Sequence, residues 1–100
     1  MLTIWGRASS SNVMKTLWTC EELGIPYKRI DAGGEFGVTK GPEYKAKNPM
    51  SLVPTIEEAD GWTLWESNSI CRYLCNTHDP EGRLYPKAPR KRAEVERWMD

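Results

Sequence analysis

The sequence predicts a mixed-sheet domain of the α/β or α+β kind, and three observations carry that reading. A strand–helix–strand unit of about thirty residues opens the chain, which implies parallel strands joined by a right-handed crossover. Two short strand-forming runs then flank Ala59-Asp60-Gly61, and the Asp-Gly pair is a hairpin signal. A helical pattern begins directly after the second run, at Ser67. Strands and helices in this order pack as layers of one domain.

Leu2-Thr3-Ile4-Trp5 is rich in strand formers and reads as the first strand. Gly6 to Asn12 is a polar loop, and Asn12 or Ser11 can cap the helix that follows. From Val13 to Leu23 the apolar residues Val13, Leu17 and Cys20 recur at helical spacing, with Met14 and Trp18 alongside. Gly24 and then Pro26 stop this helix. Tyr27-Lys28-Arg29-Ile30 reads as the second strand. The glycine-rich stretch from Gly33 to Gly41 is a weakly patterned loop. A short helix over Pro42 to Lys47 ends at Asn48-Pro49, because a residue before proline is pushed out of the helical region. Thr55-Ile56-Glu57 and Thr63-Leu64-Trp65 form the hairpin, and a helix over Ser67 to Asn76 carries Ile70, Tyr73 and Leu74 on its apolar side. Glu81 to Pro89 reads as a linker. Arg90 to Asp100 reads as a new helix with Val95, Trp98 and Met99 on one face. An apolar stripe needs a partner surface, so the expectation is a chain that forms the front part of a longer protein, or a helix packed on another copy.

One hundred residues form one domain with room for one core. The formal net charge is zero, which argues against a nucleic-acid binder working by bulk charge. No stretch approaches the ~20 apolar residues of a membrane span, and the N-terminus lacks the pattern of a signal peptide. The cysteines are three, Cys20, Cys71 and Cys75, without a C-x-x-C pair. That pattern suits a reducing compartment, so cytoplasm is the expected location.

Several segments together carry a family resemblance. They are Ser9-Ser10-Ser11-Asn12-Val13, Glu21-Glu22-Leu23-Gly24-Ile25-Pro26-Tyr27, Asn48-Pro49-Met50-Ser51-Leu52-Val53-Pro54-Thr55, and Trp65-Glu66-Ser67-Asn68-Ser69-Ile70. The chain resembles the N-terminal, thioredoxin-like domain of cytosolic glutathione S-transferases, of the serine type. The resemblance implies an α/β fold, with a four-stranded mixed sheet flanked by helices and a cis Val53-Pro54 bond. It implies a glutathione-binding domain over residues 1–80, a linker over 81–89, and the start of an all-helical C-terminal domain over 90–100. It also implies glutathione as co-substrate, no metal, and a homodimer.

The site follows from the same resemblance. Val53 and Pro54 would present backbone groups to the tripeptide, as an added strand does. Glu66 would pair with the ammonium of the γ-glutamyl end, while Ser67 and the free N–H groups of a helix start would receive its carboxylate. The thiol has an ordinary pKa of about 8.5, and lowering it by two units takes about 2.7 kcal/mol of preferential thiolate stabilisation. One hydrogen bond to a charged group contributes about 1.5–3 kcal/mol. Ser10 falls where serine-type members carry the catalytic hydroxyl, with Ser11 the alternative and Asn12 an auxiliary donor. As plain helix caps, these three residues need no catalytic role. Leu52 stands where many members carry a lysine or glutamine that helps hold the glycine end, and Ser51 replaces a common glycine. Lys40 or Lys45 could compensate, although a lysine in a loop reads first as a solvated charge.

The remaining chemistry-bearing residues read as structural. Cys71 and Cys75, four residues apart on one helix, lack further metal ligands nearby in sequence and read as core, as does Cys20. His78 is a helix-end residue, and Arg90-Lys91-Arg92 a solvated face. Trp5, Trp18 and Trp65 read as core. The expected activity is transfer of the glutathione thiolate to an electrophilic carbon. Glutathione-dependent disulfide reduction or peroxide reduction, and a non-catalytic binding or assembly module, are the alternatives.

Overall fold

The computed structural model describes residues 1–100. Its elements are β1 (Leu2–Trp5), α1 (Ser11–Leu23), β2 (Tyr27–Ile30), α2 (Pro42–Lys47), β3 (Thr55–Glu57), β4 (Thr63–Trp65), α3 (Ser67–His78) and α4 (Pro89–Met99). The four strands form one sheet in the order β2-β1-β3-β4. β1 runs parallel to β2, with Ile4 opposite Arg29, and antiparallel to β3, with Ile4 opposite Ile56. β3 and β4 form the expected antiparallel hairpin, with Ile56 opposite Leu64.

Alternation along β1 divides the two faces of the sheet. Leu2 and Ile4 are buried while Thr3 and Trp5 are half-buried. The first pair joins Cys20 of α1, Ile25, Ile56 of β3, and Ile70 and Leu74 of α3 in one core cluster. Helices α1 and α3 therefore lie together on this face. On the other face Trp5 meets Tyr44 of α2 edge-on, with ring centroids 6.3 Å apart. Gly24 ends α1 in the left-handed region, φ 67°, where a side chain would be strained, and its N–H returns to the carbonyls of Cys20 and Glu21.

Some expectations are corrected. α1 begins at Ser11, and α3 continues to His78, two residues past the expected end at Asn76. The loop after β2 contains a single 3₁₀ turn, Gly34–Phe36. Trp18 is not core: it is 69% exposed. The phase of α1 is set by Val13, Thr16 and Cys20, which are buried, and Trp18 sits a step of ~100° from the neighbouring Leu17. Its indole N–H instead donates to Glu22 Oε1 one turn on, at 3.1 Å. Trp65 is also exposed rather than core, at the end of β4, and Trp5 is only half-buried.

The three cysteines are free and buried. Burial pushes the Cys20 thiol up to about 12 and the Cys75 thiol up to about 11. Cys71 is raised for the same reason, and its Sγ accepts from Thr19 Oγ1 at 3.3 Å. These thiols are neutral near pH 7, so they pack as small apolar groups and are poor nucleophiles.

Candidate functional site

The loop between α2 and β3 is the centre of the site, and a buried polar cluster holds it. Asn48 ends α2 and is 1% exposed. Its Nδ2 donates to the Leu52 carbonyl at 3.0 Å and to Thr55 Oγ1 at 3.1 Å, and its Oδ1 accepts from the Met50 N–H at 2.9 Å. The Tyr44 hydroxyl donates to the same Leu52 carbonyl at 2.6 Å and lies 2.7 Å from Thr55 Oγ1. One assignment satisfies the whole cluster: Thr55 donates to Tyr44, and Tyr44 donates to Leu52. Burial raises the Tyr44 phenol above its ordinary value, so it remains a donor at neutral pH. The Leu52 carbonyl thus faces inward, into two donors, while its side chain is 64% exposed. The next peptide bond, Val53-Pro54, is cis. Ser51 is held at φ 58°, a conformation that glycine adopts more easily.

The junction of β4 and α3 faces this loop. Glu66 has φ 79° and ψ 108°, and no side chain caps the helix that begins at Ser67. A non-glycine residue held there costs on the order of 1–3 kcal/mol. The N–H groups of the first turn of α3 therefore have no partner from a capping side chain. Ser67 is buried, whereas Glu66 is exposed.

A cavity of about 210 Å³ lies between the two segments. Its walls are Met50, Leu52, Val53 and Pro54 on one side, Trp65, Glu66 and Ser67 on the other, with Asn48 and Asn12 completing it. The fold thus brings Val53, Pro54, Glu66, Ser67 and Asn12 together from three separate parts of the chain. Ser10 and Ser11 are not among the walls. Ser10 is 8% exposed and caps α1: its Oγ accepts from the Val13 N–H at 3.4 Å, a long contact. Its own O–H proton is left to donate elsewhere. Ser11 is exposed at the first position of α1. Lys40 and Lys45 are exposed and outside the walls.

Sequence reading missed Asn48, Tyr44 and Thr55 as supports of the site. The one available signal was Asn48-Pro49, an amide side chain at a forced helix end, four residues before Leu52.

A larger groove of about 490 Å³ lies elsewhere, among α1, α3 and α4, with Trp18, Cys71, Val95 and Trp98 in its lining. No group of His, Cys, Asp or Glu side chains is placed to hold a metal ion. No helix is long and apolar enough to cross a membrane.

A four-stranded mixed sheet with helices on both faces, and a cis-proline loop facing an uncapped helix start, define a domain of the thioredoxin-like class. Comparisons with known proteins narrow the class. Residues 9–77 match the family model described as "Glutathione S-transferase, N-terminal domain". The chain is 46% identical over 101 residues to glutathione S-transferase GstB of Escherichia coli K12, covering 100% of this chain and 48% of that protein. It is 31% identical to the probable glutathione S-transferase GSTF2 of Oryza sativa subsp. japonica, covering 99% of this chain and 45% of that one. Among solved structures, the theta class glutathione S-transferase of Xanthomonas axonopodis pv. citri, with glutathione bound, superposes with a TM-score of 0.91 at 50% identity. That match covers 99% of this chain and 46% of the other. The chain belongs to the glutathione S-transferase family, as an N-terminal domain, and spans about half the length of the curated relatives it matches.

Proposed function

We propose that the chain binds glutathione in the cavity between the Val53-Pro54 loop and the start of α3, and supplies the thiolate-forming half of a glutathione transferase. The observation that carries this reading is the juxtaposition of Glu66 with an uncapped helix N-terminus across from Val53 and Pro54. A γ-glutamyl group carries an ammonium and a carboxylate on one carbon. Glu66 is the acid for the first, and Ser67 with the free N–H groups of α3 receives the second. The backbone of Val53 pairs with the cysteinyl residue of the ligand. The family neighbour with glutathione bound adds support to this choice of ligand.

Ser10 is the residue we assign to the thiol, with Ser11 the alternative and Asn12 an auxiliary donor from the cavity wall. Because Ser10 Oγ accepts from Val13 N, its proton is free to be donated to sulfur, and the positive end of α1 adds to the effect. The reaction is a displacement. The thiol loses its proton to solvent, the thiolate forms a C–S bond to the electrophilic carbon, and the leaving group departs with its electron pair. The protein's cysteines take no part, since burial keeps them protonated. We further read residues 1–80 as the glutathione-binding domain and 81–89 as a linker. α4 then opens a second, helical domain that contributes to the electrophile pocket, in a cytoplasmic homodimer.

Titration calorimetry with glutathione tests the reading. Binding that weakens at least tenfold in Glu66→Gln, about 1.4 kcal/mol, is the expected result. No binding at millimolar glutathione sinks the proposal.

A further inference from the structure

The cavity contains one acid and no cation among its walls, yet glutathione carries two carboxylates. The start of α3 accounts for one. The side chain expected to assist at the other end is absent, because position 52 is an exposed leucine. A cation for the second carboxylate has to come from outside the walls already described.

Arg7, which shares Gly33 as a neighbour with the wall residue Val53, is the candidate. Among the half-buried arginines, Arg29 pairs with Asp31, Arg72 with Asp100 and Glu96, and Arg92 with the Pro86 carbonyl and the Tyr85 ring. Arg7 is half-buried too, and its guanidinium makes no hydrogen bond or ion pair. The side chain nevertheless has close neighbours. It lies against Gly33 and Gly34: a Cβ added to Gly33 would sit 3.0 Å from Arg7 Nη1, and one added to Gly34 would sit 3.2 Å from Arg7 Nε. The same position on Gly33 is 3.2 Å from Val53 Cγ1, so the guanidinium and the Val53 side chain flank one glycine. The backbone of Arg7 is fixed. Its N–H donates to the Ala32 carbonyl at 2.9 Å, and its carbonyl accepts from the Ser10 N–H at 3.2 Å. The last bond closes the turn that carries Ser10.

The sheet order gives the direction. Glu66 follows β4, Val53-Pro54 precedes β3, the Arg7–Ser10 turn follows β1, and Gly33 follows β2, in the strand order β2-β1-β3-β4. A ligand anchored at Glu66 and Val53 has its remaining groups on the β1 and β2 side. We propose that Arg7 forms a carboxylate subsite there, completing the glutathione site proposed above, on which this inference rests. The carboxylate comes from one of two sources, the glycine end of glutathione or an acidic electrophile joined to its sulfur. A guanidinium is suited to either, since its fork of N–H donors matches a carboxylate.

The test is calorimetry with four probes: glutathione, its glycine ethyl ester, S-(4-carboxybenzyl)glutathione, and the methyl ester of that conjugate. If the glycine end is the source, the wild-type protein binds glutathione about tenfold more tightly than its glycine ester. If the electrophile is the source, the carboxybenzyl conjugate holds the tenfold advantage over its ester. In either case Arg7→Gln abolishes the preference and Arg7→Lys keeps part of it. Arg7→Met, which keeps an apolar stem over Gly33 and Gly34, takes the place of Arg7→Gln if that variant does not fold. The inference is overturned if the wild type shows neither preference, or if a preference survives in Arg7→Gln. Failure of all four probes to bind the wild type overturns the glutathione site itself, whereas equal binding of acids and esters overturns Arg7 alone.

Discussion

Replacing Asn48 by alanine tests whether the polar cluster under the Val53-Pro54 loop sets the geometry of the site. The substitution removes three hydrogen bonds, to the Leu52 carbonyl, Thr55 Oγ1 and the Met50 N–H. Each contributes about 0.5–1.5 kcal/mol net. Two of the three partners keep a hydrogen bond to Tyr44, and Met50 is exposed enough to turn to water, so no partner is left unpaired in the interior. The total therefore falls in the middle of the range, about 2–3 kcal/mol. Against a domain stability of about 5–15 kcal/mol, that loss is measurable without unfolding the protein. Urea denaturation will show a lower midpoint at unchanged slope, and glutathione affinity will fall, because the loop carrying Val53 loses its support. Tyr44 bonds to the same two groups, donating to the Leu52 carbonyl and accepting from Thr55, so the double variant with Tyr44→Phe will depart from additivity by at least about 0.5 kcal/mol. A loss under about 1 kcal/mol with unchanged glutathione affinity refutes the reasoning, as does strict additivity with Tyr44→Phe.

Other outcomes follow from the same geometry. Ser10→Ala will raise the pKa of bound glutathione thiol by about 1–2 units, the equivalent of one charged hydrogen bond, read from ultraviolet thiolate absorbance against pH; an unchanged titration removes Ser10 from its assigned role. Ser51→Gly will stabilise the domain by a few tenths to about 1 kcal/mol, since φ is 58° and the relief of a strained side chain exceeds the entropy glycine loses. Thermal unfolding checks it, and a destabilised variant contradicts it. Stability will fall as pH rises from about 9. In the unfolded chain Cys20 and Cys75 lose their protons near 9, while the folded pKa values are about 12 and about 11. Their contribution is complete below pH 9 and is lost up to those values, at about 1.4 kcal/mol per pH unit per thiol. Cys75→Ala will flatten the dependence between pH 9 and 11, and an unaltered slope counts against the burial argument.

The parts of the fold that were legible in sequence are those governed by local rules. Gly24 and Pro26 stopped α1 where they must, Asp60-Gly61 closed the hairpin, and Asn48-Pro49 ended α2. The failures were failures of phase and of depth. Met14 and Trp18 follow a helical spacing as well as Val13 and Cys20 do, and only the packing of α1 on α3 decides between the two stripes. Thr16, fully buried, looks like a surface residue in sequence because the cost of burying its hydroxyl depends on neighbours from elsewhere in the chain. The cavity walls were largely legible through the family pattern of Val53-Pro54 and Glu66-Ser67. The cluster beneath them was not, because Tyr44, Asn48 and Thr55 meet only after α2 folds back over the sheet. Arg7 was passed over for a related reason: an arginine in a polar loop reads as solvated until the positions of Gly33 and of its would-be partners are known.

The backbone of Glu66 has an implication for selection. A glycine at this position would relax the φ of 79° and make the isolated domain more robust, yet it would delete the carboxylate beside the helix start. Screens that reward only folding or expression should therefore drift toward glycine here, while screens that reward ligand capture should hold the acid in place. The two pressures act on one residue in opposite directions, so the identity found at position 66 in a pool of selected variants reports which pressure the pool experienced.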